Sequence, residues 1–339
     1  MNIIEVNSIP IDEVIKDIGR AISQPVSENC KQVRLDIPEA LGEGSISGIN
    51  FKNGFGFIHY DCVFKAKTEI QFVVDKIHPL KFLYMLKGNM VHRFEGNKEK
   101  HSIEQYQHGI VANVQDKGHI LQFSEEEQLS MISIEIDREN FIDKINCELE
   151  GIGYKLKEVF LDVKAQKEFY HKGFYSLKIA DLFREIQEFK RNNFIRRIFL
   201  EALTMKMLTY ELEKYEDELK TETEQRILTH YEVRSIRKAA NYIEDHISKG
   251  PDLEELSRYA GLNKNKLQYG FQVLFDTSVH TYLKQTRLKM MKTLLLNTDL
   301  SISEISNRIG IKSYSYFSRI FKEKYELSPM EFRKLNRLS

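Results

Sequence analysis

The sequence predicts a multidomain α+β protein in which a strand-rich N-terminal region, a helical middle segment and an all-α C-terminal region follow one another. Three observations support this order. Apolar residues first recur in short runs punctuated by glycines, and their period becomes helical after residue 138. The last hundred residues then contain one helical pattern twice. A chain of 339 residues is long enough for two or three domains, each with its own core.

The N-terminal region, which we assign to residues 1–137, is rich in aromatic and β-branched residues from about Ile46 to Ile136. Its candidate strands are FGFIHYDCVF, EIQFVVD, LKFLYMLKG, VHRFEG, GIVANVQ and LSMISIEID. Many short, closely spaced strands are typical of an antiparallel barrel or a sandwich.

The middle segment, residues 138–225, has helical periodicity. Its apolar residues form two stripes: Leu182, Ile186 and Phe189, followed by Ile198, Met205, Leu208, Leu212 and Tyr215. The second stripe has two interpretations. It packs on its own domain, or it pairs with the same helix of a second copy and forms a homodimer through residues 176–217. The polar stretch YEDELKTETEQR then predicts a linker.

The C-terminal region, residues 231–339, contains two copies of a helix-turn-helix pattern, at 253–275 and 302–325. Matching positions are 49 residues apart through the turn glycine and 50 afterwards, so the second turn has one extra residue. The matched pairs are Leu253/Ile302, Leu256/Ile305, Gly261/Gly310, Leu267/Phe317 and Phe271/Phe321. Two such units joined by a helix are typical of a DNA-binding domain.

Helix starts in this region have clear signals. Asp252, Ser301 and Ser328 are each followed three residues later by glutamate, the pattern of a capping box. Asn263 and Ser313 are placed to cap the second helix of each unit. The stretch between the units predicts one continuous helix with an apolar stripe through Leu283, Leu288, Met291 and Leu295.

In a helix-turn-helix the second helix enters the major groove, and its early exposed residues meet base edges. The candidates for base recognition are Asn265, Gln268, Tyr269, Tyr314, Ser315, Ser318 and Arg319. Asn and Gln can pair with adenine and Arg with guanine, and Arg319 is the strongest single candidate. The candidates for phosphate contact are Lys264, Lys266, Lys312, Lys322 and Lys324. The alternative for each is a solvated surface residue.

The formal net charge is zero, but it is unevenly distributed. Residues 231–339 carry 19 lysines and arginines against 12 acidic residues, and the rest of the chain carries 31 against 38. A basic module joined to an acidic remainder is expected of a protein that binds double-stranded DNA through one region.

The C-terminal region resembles the DNA-binding domain of the AraC/XylS family of transcription regulators. The resemblance extends over about Ile236 to Arg333 and is strongest in SISEISNRIGIKSYSYFSRIFKEKYELSP. The base-recognition candidates named above match the family's base-facing positions. Asp276 and Glu326 stand where the family usually has glycine, and Val279 stands where it has proline in the first unit.

The stretch GLNKNKLQYGFQVLF is similar to the branch typified by pyochelin-type siderophore regulators, as is FIRRIFLEALTMKMLTYELEKYE upstream. The family resemblance implies an N-terminal cupin-like barrel that senses a small molecule, here a siderophore by the branch, and neighbouring helices that dimerise. It also implies activation through RNA polymerase. The open alternative is a regulator whose N-terminal domain serves only dimerisation or protein contact.

Other functional classes have little support. Six histidines lack the spacing of a cupin metal centre, so no metal and no cofactor are expected: His59, His78, His92, His101, His108 and His119. No hydrolase, phosphate-binding or dinucleotide motif predicts an enzyme. Three cysteines without metal spacing indicate free thiols, namely Cys30, Cys62 and Cys147. Neither a signal peptide nor a membrane span is expected, which favours the cytoplasm.

Overall fold

A computed structural model describes residues 1–73, 76–145, 149, 152–191, 193–220, 228–311 and 313–337. The chain divides into two compact units, Met1–Ile227 and Leu228–Ser339. The division follows directly on the polar stretch that predicts a linker, and each unit is described by itself.

The N-terminal unit combines strands and helices. The strands are β1 (Asn2–Val6), β2 (Val26–Asn29), β3 (Gln32–Asp36), β4 (Gly42–Asn50), β5 (Phe55–Phe64), β6 (Thr68–Phe72), β7 (Leu80–Lys87), β8 (Met90–Phe94), β9 (His101–Ile103), β10 (Gln107–Ala112), β11 (His119–Phe123), β12 (Leu129–Ile136) and β13 (Phe169–Tyr175). The helices are α1 (Ile11–Ala21), α2 (Arg138–Ile145), α3 (Tyr154–Leu161), α4 (Lys178–Glu188) and α5 (Asn193–Lys220).

These strands form two sheets. One has the order β1-β6-β11-β8-β9, and the other has the order β13-β10-β7-β12-β5-β4-β3-β2. Neighbouring strands are antiparallel except β1 and β6, which pair in parallel. The expected antiparallel β-rich domain is therefore confirmed. It consists of two packed sheets.

Three elements are additional to those that the sequence predicts. Helix α1 precedes the predicted strands, and its Ile11, Val14, Ile15 and Ile18 are buried at helical spacing. Strand β1 precedes it and begins at residue 2. Strand β13 interrupts the segment expected to be helical, because it pairs with β10 at the sheet edge. Pairing with a distant strand overrides a weak local signal, so only the tertiary structure identifies β13.

Strand β12 shows how the larger sheet separates two cores. All eight of its residues are buried, as expected of a strand covered on both faces. Leu129 and Met131 face the space between the sheets, together with α1. Ile132 and Ile134 face the opposite side, where α2 to α5 cover the sheet.

Several polar residues lie between the two sheets. Lys81 and Glu135 form a buried ion pair, and the Lys81 ammonium lies 4.5 Å from the centre of the Phe72 ring. His92 and His119 are fully buried, and their ring nitrogens have no hydrogen-bond partner among the described residues. Burial lowers the pKa of His92 to about 3, assisted by His101 and Lys81, so this imidazole is neutral.

The second apolar stripe of the middle segment packs mainly on its own unit. Leu208 and Tyr215 on α5 are buried against the larger sheet, and Met205 and Leu212 pack beside them. Ile198 is the exception, since it is half exposed. The interpretation of intrachain packing thus holds for most of the stripe.

The C-terminal unit is all helical in the residues described. Its helices are α6 (His230–Asp245), α7 (Leu253–Ala260), α8 (Lys264–Phe275), α9 (Val279–Asn297), α10 (Ile302–Arg308), α11 (Tyr314–Tyr325) and α12 (Pro329–Arg337). The boundaries of α7–α8 and α10–α11 reproduce the two predicted motifs. The turn before α11 is longer than the turn before α8, as the offset of the repeat predicts.

The predicted helix caps are present. Ser301 and Glu304 form a reciprocal capping box, and Ser328 and Glu331 exchange the same two hydrogen bonds. Asp252 is different, because it accepts from the Glu255 amide while the Glu255 carboxylate accepts from Tyr242 Oη. That predicted box is therefore only half formed.

The two positions at which the resembled family has glycine keep the glycine conformation. Asp276 and Glu326 end α8 and α11 with φ of 54° and 59°, in the left-handed region. The helix ends are thus of the usual left-handed type, although a non-glycine residue there costs about 1–2 kcal/mol of conformational strain.

Candidate nucleic-acid interface

Each helix-turn-helix is held by the same local contacts. A left-handed glycine follows the first helix, with φ of 67° at Gly261 and 72° at Gly310. A serine of the first helix donates its hydroxyl to a carbonyl beyond the turn: Ser257 to Leu262, and Ser306 to Ile311. This serine pair stands at the repeat offset of 49, so the sequence contained the signal, but caps and core positions alone did not identify it.

The second helix of each unit has one buried and one exposed face. Leu267 and Phe271 of α8 are fully buried, as are Phe317 and Phe321 of α11. The predicted core faces are thereby confirmed. Since these residues recur every fourth position, the remaining faces of α8 and α11 are directed away from the core.

At the start of α8 the predicted contact residues differ in their availability. Asn265 is exposed. Lys264 is exposed and pairs with Glu254 at 3.1 Å, a surface ion pair of low strength. Lys266 pairs at 3.1 Å with Glu232, whose carboxylate is nearly buried and also caps α6. Lys266 is therefore held more strongly by its carboxylate partner than Lys264 is.

Gln268 is bound to its own scaffold. Its Oε1 accepts a hydrogen bond of 3.3 Å from the backbone amide of Val279, the first residue of α9. The equivalent position of the second repeat is Pro329, which has no amide hydrogen to donate. A hydrogen bond from a base to Gln268 Oε1 would therefore compete with this contact. Tyr269, one residue further, is half-buried.

On α11 the exposed candidates are grouped around one cation. Ser315 is exposed, and the Arg319 side chain is two-thirds exposed. The guanidinium of Arg319 lies 5.5 Å from the centre of the Tyr316 ring and 3.8 Å from Glu323. Tyr316 was not predicted from the sequence, and its exposed ring lies beside the arginine. Ser318 is placed less favourably, since its hydroxyl oxygen is buried.

The predicted phosphate contacts of the second unit are partly described. Lys322 and Lys324 are exposed and lie in the last turn of α11. Lys312 and the side chain of Tyr314 fall outside the described residues.

One helix joins the two units. Helix α9 runs without interruption over 19 residues, from Val279 to Asn297. Leu288, Met291 and Leu295 are buried on one face, and Leu283 is half-buried, so the predicted stripe is confirmed. At 1.5 Å per residue the helix is about 28 Å long. Among the residues that the structure describes, no helix combines the length and apolarity that a bilayer crossing requires.

Comparisons with known proteins concern this same region. Residues 256–335 match the family model described as a helix-turn-helix domain. The xylose operon regulatory protein of Escherichia coli K12 is 30% identical over 102 residues, which are 30% of this chain and 26% of that protein. The arabinose operon regulatory protein of the same strain is 30% identical over 99 residues, 29% of this chain and 34% of that protein.

A solved structure is similar over nearly the same share of this chain. The C-terminal domain of AraT, a response regulator from Geobacillus stearothermophilus, is 29% identical and covers 30% of this chain and 84% of that one, with a TM-score of 0.29. The chain spans about a quarter to a third of the length of the two curated relatives. The family model, the caps and the turns agree that the C-terminal unit contains a helix-turn-helix domain, and this domain is similar to those of the xylose and arabinose operon regulators.

Proposed function

We propose that the chain is a sequence-specific DNA-binding transcription regulator. Each helix-turn-helix places one second helix in the major groove, with Asn265 and Arg319 as the principal base contacts. The observation that carries this proposal is the uninterrupted helix α9, about 28 Å long. Successive major grooves on one face of the duplex lie about 34 Å apart, so a connector of this length suits two adjacent grooves.

The test is selection of bound DNA from a random pool by the full chain, followed by affinity measurements on the selected site. Arg319→Ala should relax preference at one base pair and cost about 1–3 kcal/mol of discrimination there. Arg234→Ala is the matched control, because Arg234 is an exposed arginine on α6. A uniform loss of affinity for all sequences in Arg319→Ala would contradict base recognition and indicate a phosphate contact.

We further propose that the N-terminal unit is a cupin-like sensor of a small molecule. Support comes from the polar groups between its sheets, namely the Lys81–Glu135 pair and the neutral His92 and His119, whose ring nitrogens have no hydrogen-bond partner in the described part of the chain. A pocket of about 160 Å³ reaches Glu135 from the surface. Ligands of drug size usually need about 300–1,000 Å³, so a siderophore would require this pocket to widen.

Homodimerisation through residues 176–217 is the remaining structural proposal. Three apolar side chains on the first turns of α5 are more than half exposed: Phe194 at 69%, Ile195 at 57% and Ile198 at 51%. Exposed apolar residues clustered on one helix are typical of a protein contact. We place the regulator in the cytoplasm, acting as an activator through RNA polymerase.

Sensing and dimerisation are distinguishable on the full chain. A thermal-shift screen with siderophores, sugars and aromatic acids should find a ligand whose stabilisation grows with concentration over Kd. Loss of the effect in Glu135→Gln would locate it between the sheets. A chain that no compound stabilises, but that becomes monomeric in Ile198→Asp, would instead favour an N-terminal unit used only for dimerisation.

A further inference from the structure

A cluster of histidines and glutamates lies on the other face of the larger sheet. His108 belongs to β10 and His171 to β13, the strand that pairs with β10 at the sheet edge. The pairing of β10 with β13 shifts register between Gln107 and Gly109, directly at His108. Such irregularities re-aim a side chain out of the regular alternation. Glu211 and Glu218 reach the same place from α5, two helical turns apart.

Three side chains of this cluster are close enough to bind one metal ion together. His171 Nε2 lies 2.8 Å from Glu218 Oε2, and His108 Nε2 lies 3.2 Å from Glu218 Oε1. One ligand atom from each of His108, His171 and Glu218 falls within 4.8 Å of the other two. Two imidazoles and one carboxylate are the protein ligands of many zinc and non-haem iron sites.

A second carboxylate, that of Glu211, lies beside the ring nitrogen of His108 that faces away from the other two ligands. The other ring nitrogen of His108, Nδ1, lies 2.5 Å from Glu211 Oε2. Metal-binding histidines commonly contact a carboxylate through the nitrogen that does not bind the metal, which fixes the ring and its tautomer. Glu211 therefore occupies the position that would direct His108 Nε2 towards a cation.

Space and access are also suited to a bound ion. A side chain at position 173 would overlap the His108 imidazole, and the glycine at this position avoids that overlap. His108, Glu211 and Glu218 are nearly fully buried, whereas the His171 side chain is 22% exposed and gives a path from solvent. Glu218 accepts a hydrogen bond of 2.7 Å from the Phe174 amide and lies 4.0 Å from Lys214 Nζ, and a divalent cation would add a direct ligand bond to these contacts.

We propose that His108, His171 and Glu218 bind a divalent transition metal of the zinc class, with Glu211 as the residue that positions His108. The sequence did not indicate this site, because its ligands lie on two strands and a helix that are far apart in the chain. Bound metal would tie the C-terminal half of α5 to the sheet edge formed by β10 and β13.

The proposal is tested on the full-length chain stripped with a chelator and titrated with Co²⁺ and then Zn²⁺. One equivalent of Co²⁺ should bind, give ligand-field absorption bands and be displaced by Zn²⁺. His171→Asn should weaken binding at least tenfold. Glu211→Gln should weaken it about 10–100-fold, as is usual when a supporting carboxylate is lost. His280→Asn is the matched control, since His280 is an exposed histidine on α9.

A second variant keeps the test decisive if the first weakens the fold. His171→Cys retains a metal ligand and should keep one-to-one binding, with a new thiolate-to-cobalt charge-transfer band that the wild-type chain lacks. Equal Co²⁺ affinity in the wild-type and His171→Asn chains, or absence of the charge-transfer band from a folded His171→Cys chain, would overturn the assignment. In that case the cluster would be an ion-pair network that only holds α5 against β10 and β13.

Discussion

The two turn glycines should respond differently to the same substitution. Gly261 and Gly310 are equivalent in the repeat and share a left-handed backbone, with φ of 67° and 72°. Alanine in this conformation costs about 1–2 kcal/mol. Loss of glycine's greater freedom in the unfolded chain returns about 0.5–1 kcal/mol. Gly261→Ala should therefore destabilise the C-terminal unit by about 1 kcal/mol.

The surroundings of the two glycines add a second contribution. A Cβ at position 261 would meet only the hydroxyl of Tyr231, at 3.0 Å, and this exposed side chain can move away. A Cβ at position 310 would overlap the Ser248 carbonyl oxygen and lie 2.7 Å from its carbon. Backbone cannot yield as easily, and overpacking of this kind costs about 1–3 kcal/mol. Gly310→Ala should therefore cost about 2–4 kcal/mol in total.

Hydrogen exchange measured by mass spectrometry on the full chain can compare the two variants. Slowly exchanging amides of α7 and α10 should exchange about fivefold faster in Gly261→Ala and at least about thirtyfold faster in Gly310→Ala. Equal acceleration in both variants would refute the reasoning, since it would mean that the contact with Ser248 contributes nothing.

Three further outcomes are expected. Because burial lowers the pKa of His92 to about 3 from an ordinary 6.5, the folded chain resists its protonation, and stability is lost as the pH falls from 6.5 towards 3. The loss at pH 5 is about 2 kcal/mol and should be absent from urea titrations of His92→Leu. Val279→Pro removes the amide hydrogen that Gln268 accepts, and should lower stability by about 0.5–1.5 kcal/mol, the contribution of one hydrogen bond, while altering base preference in selected DNA. Lys322→Ala should lower the slope of log affinity against log salt by about 0.9, whereas Lys266→Ala should leave the slope unchanged and lower the melting temperature.

Much of the C-terminal unit could be predicted because its signals are local. A cap such as Ser301, a left-handed turn at Gly261 and a buried face through Phe317 and Phe321 each lie within one or two turns of helix. Their order along the chain is also their order in space. The sequence therefore predicted both the helix boundaries and the inward face.

The features that escaped prediction depend on distant partners. Strand β13 is a strand because β10 offers it an open edge, and α1 is a helix that packs against strands which follow it in the chain. The cluster around Glu218 joins residues that are more than forty positions apart. The acceptor role of Gln268 towards Val279 depends on how α8 meets the start of α9. None of these pairings leaves a periodic pattern in the sequence.

The structure also makes the two helix-turn-helix units unequal in a way that matters for recognition. In the first unit, Gln268 and Lys266 are engaged by α9 and α6, so DNA must compete with contacts that the free protein already makes. In the second, Arg319 has a weak ion pair at 3.8 Å and a ring beside it, and Lys322 is exposed. Side chains that already have a fixed orientation and make only weak contacts in the free protein lose less conformational entropy and fewer contacts when they bind DNA. The second unit should therefore contribute more of the binding free energy. The first unit should contribute selectivity, because only a base that hydrogen-bonds with Gln268 compensates for a weakened contact between Gln268 and Val279.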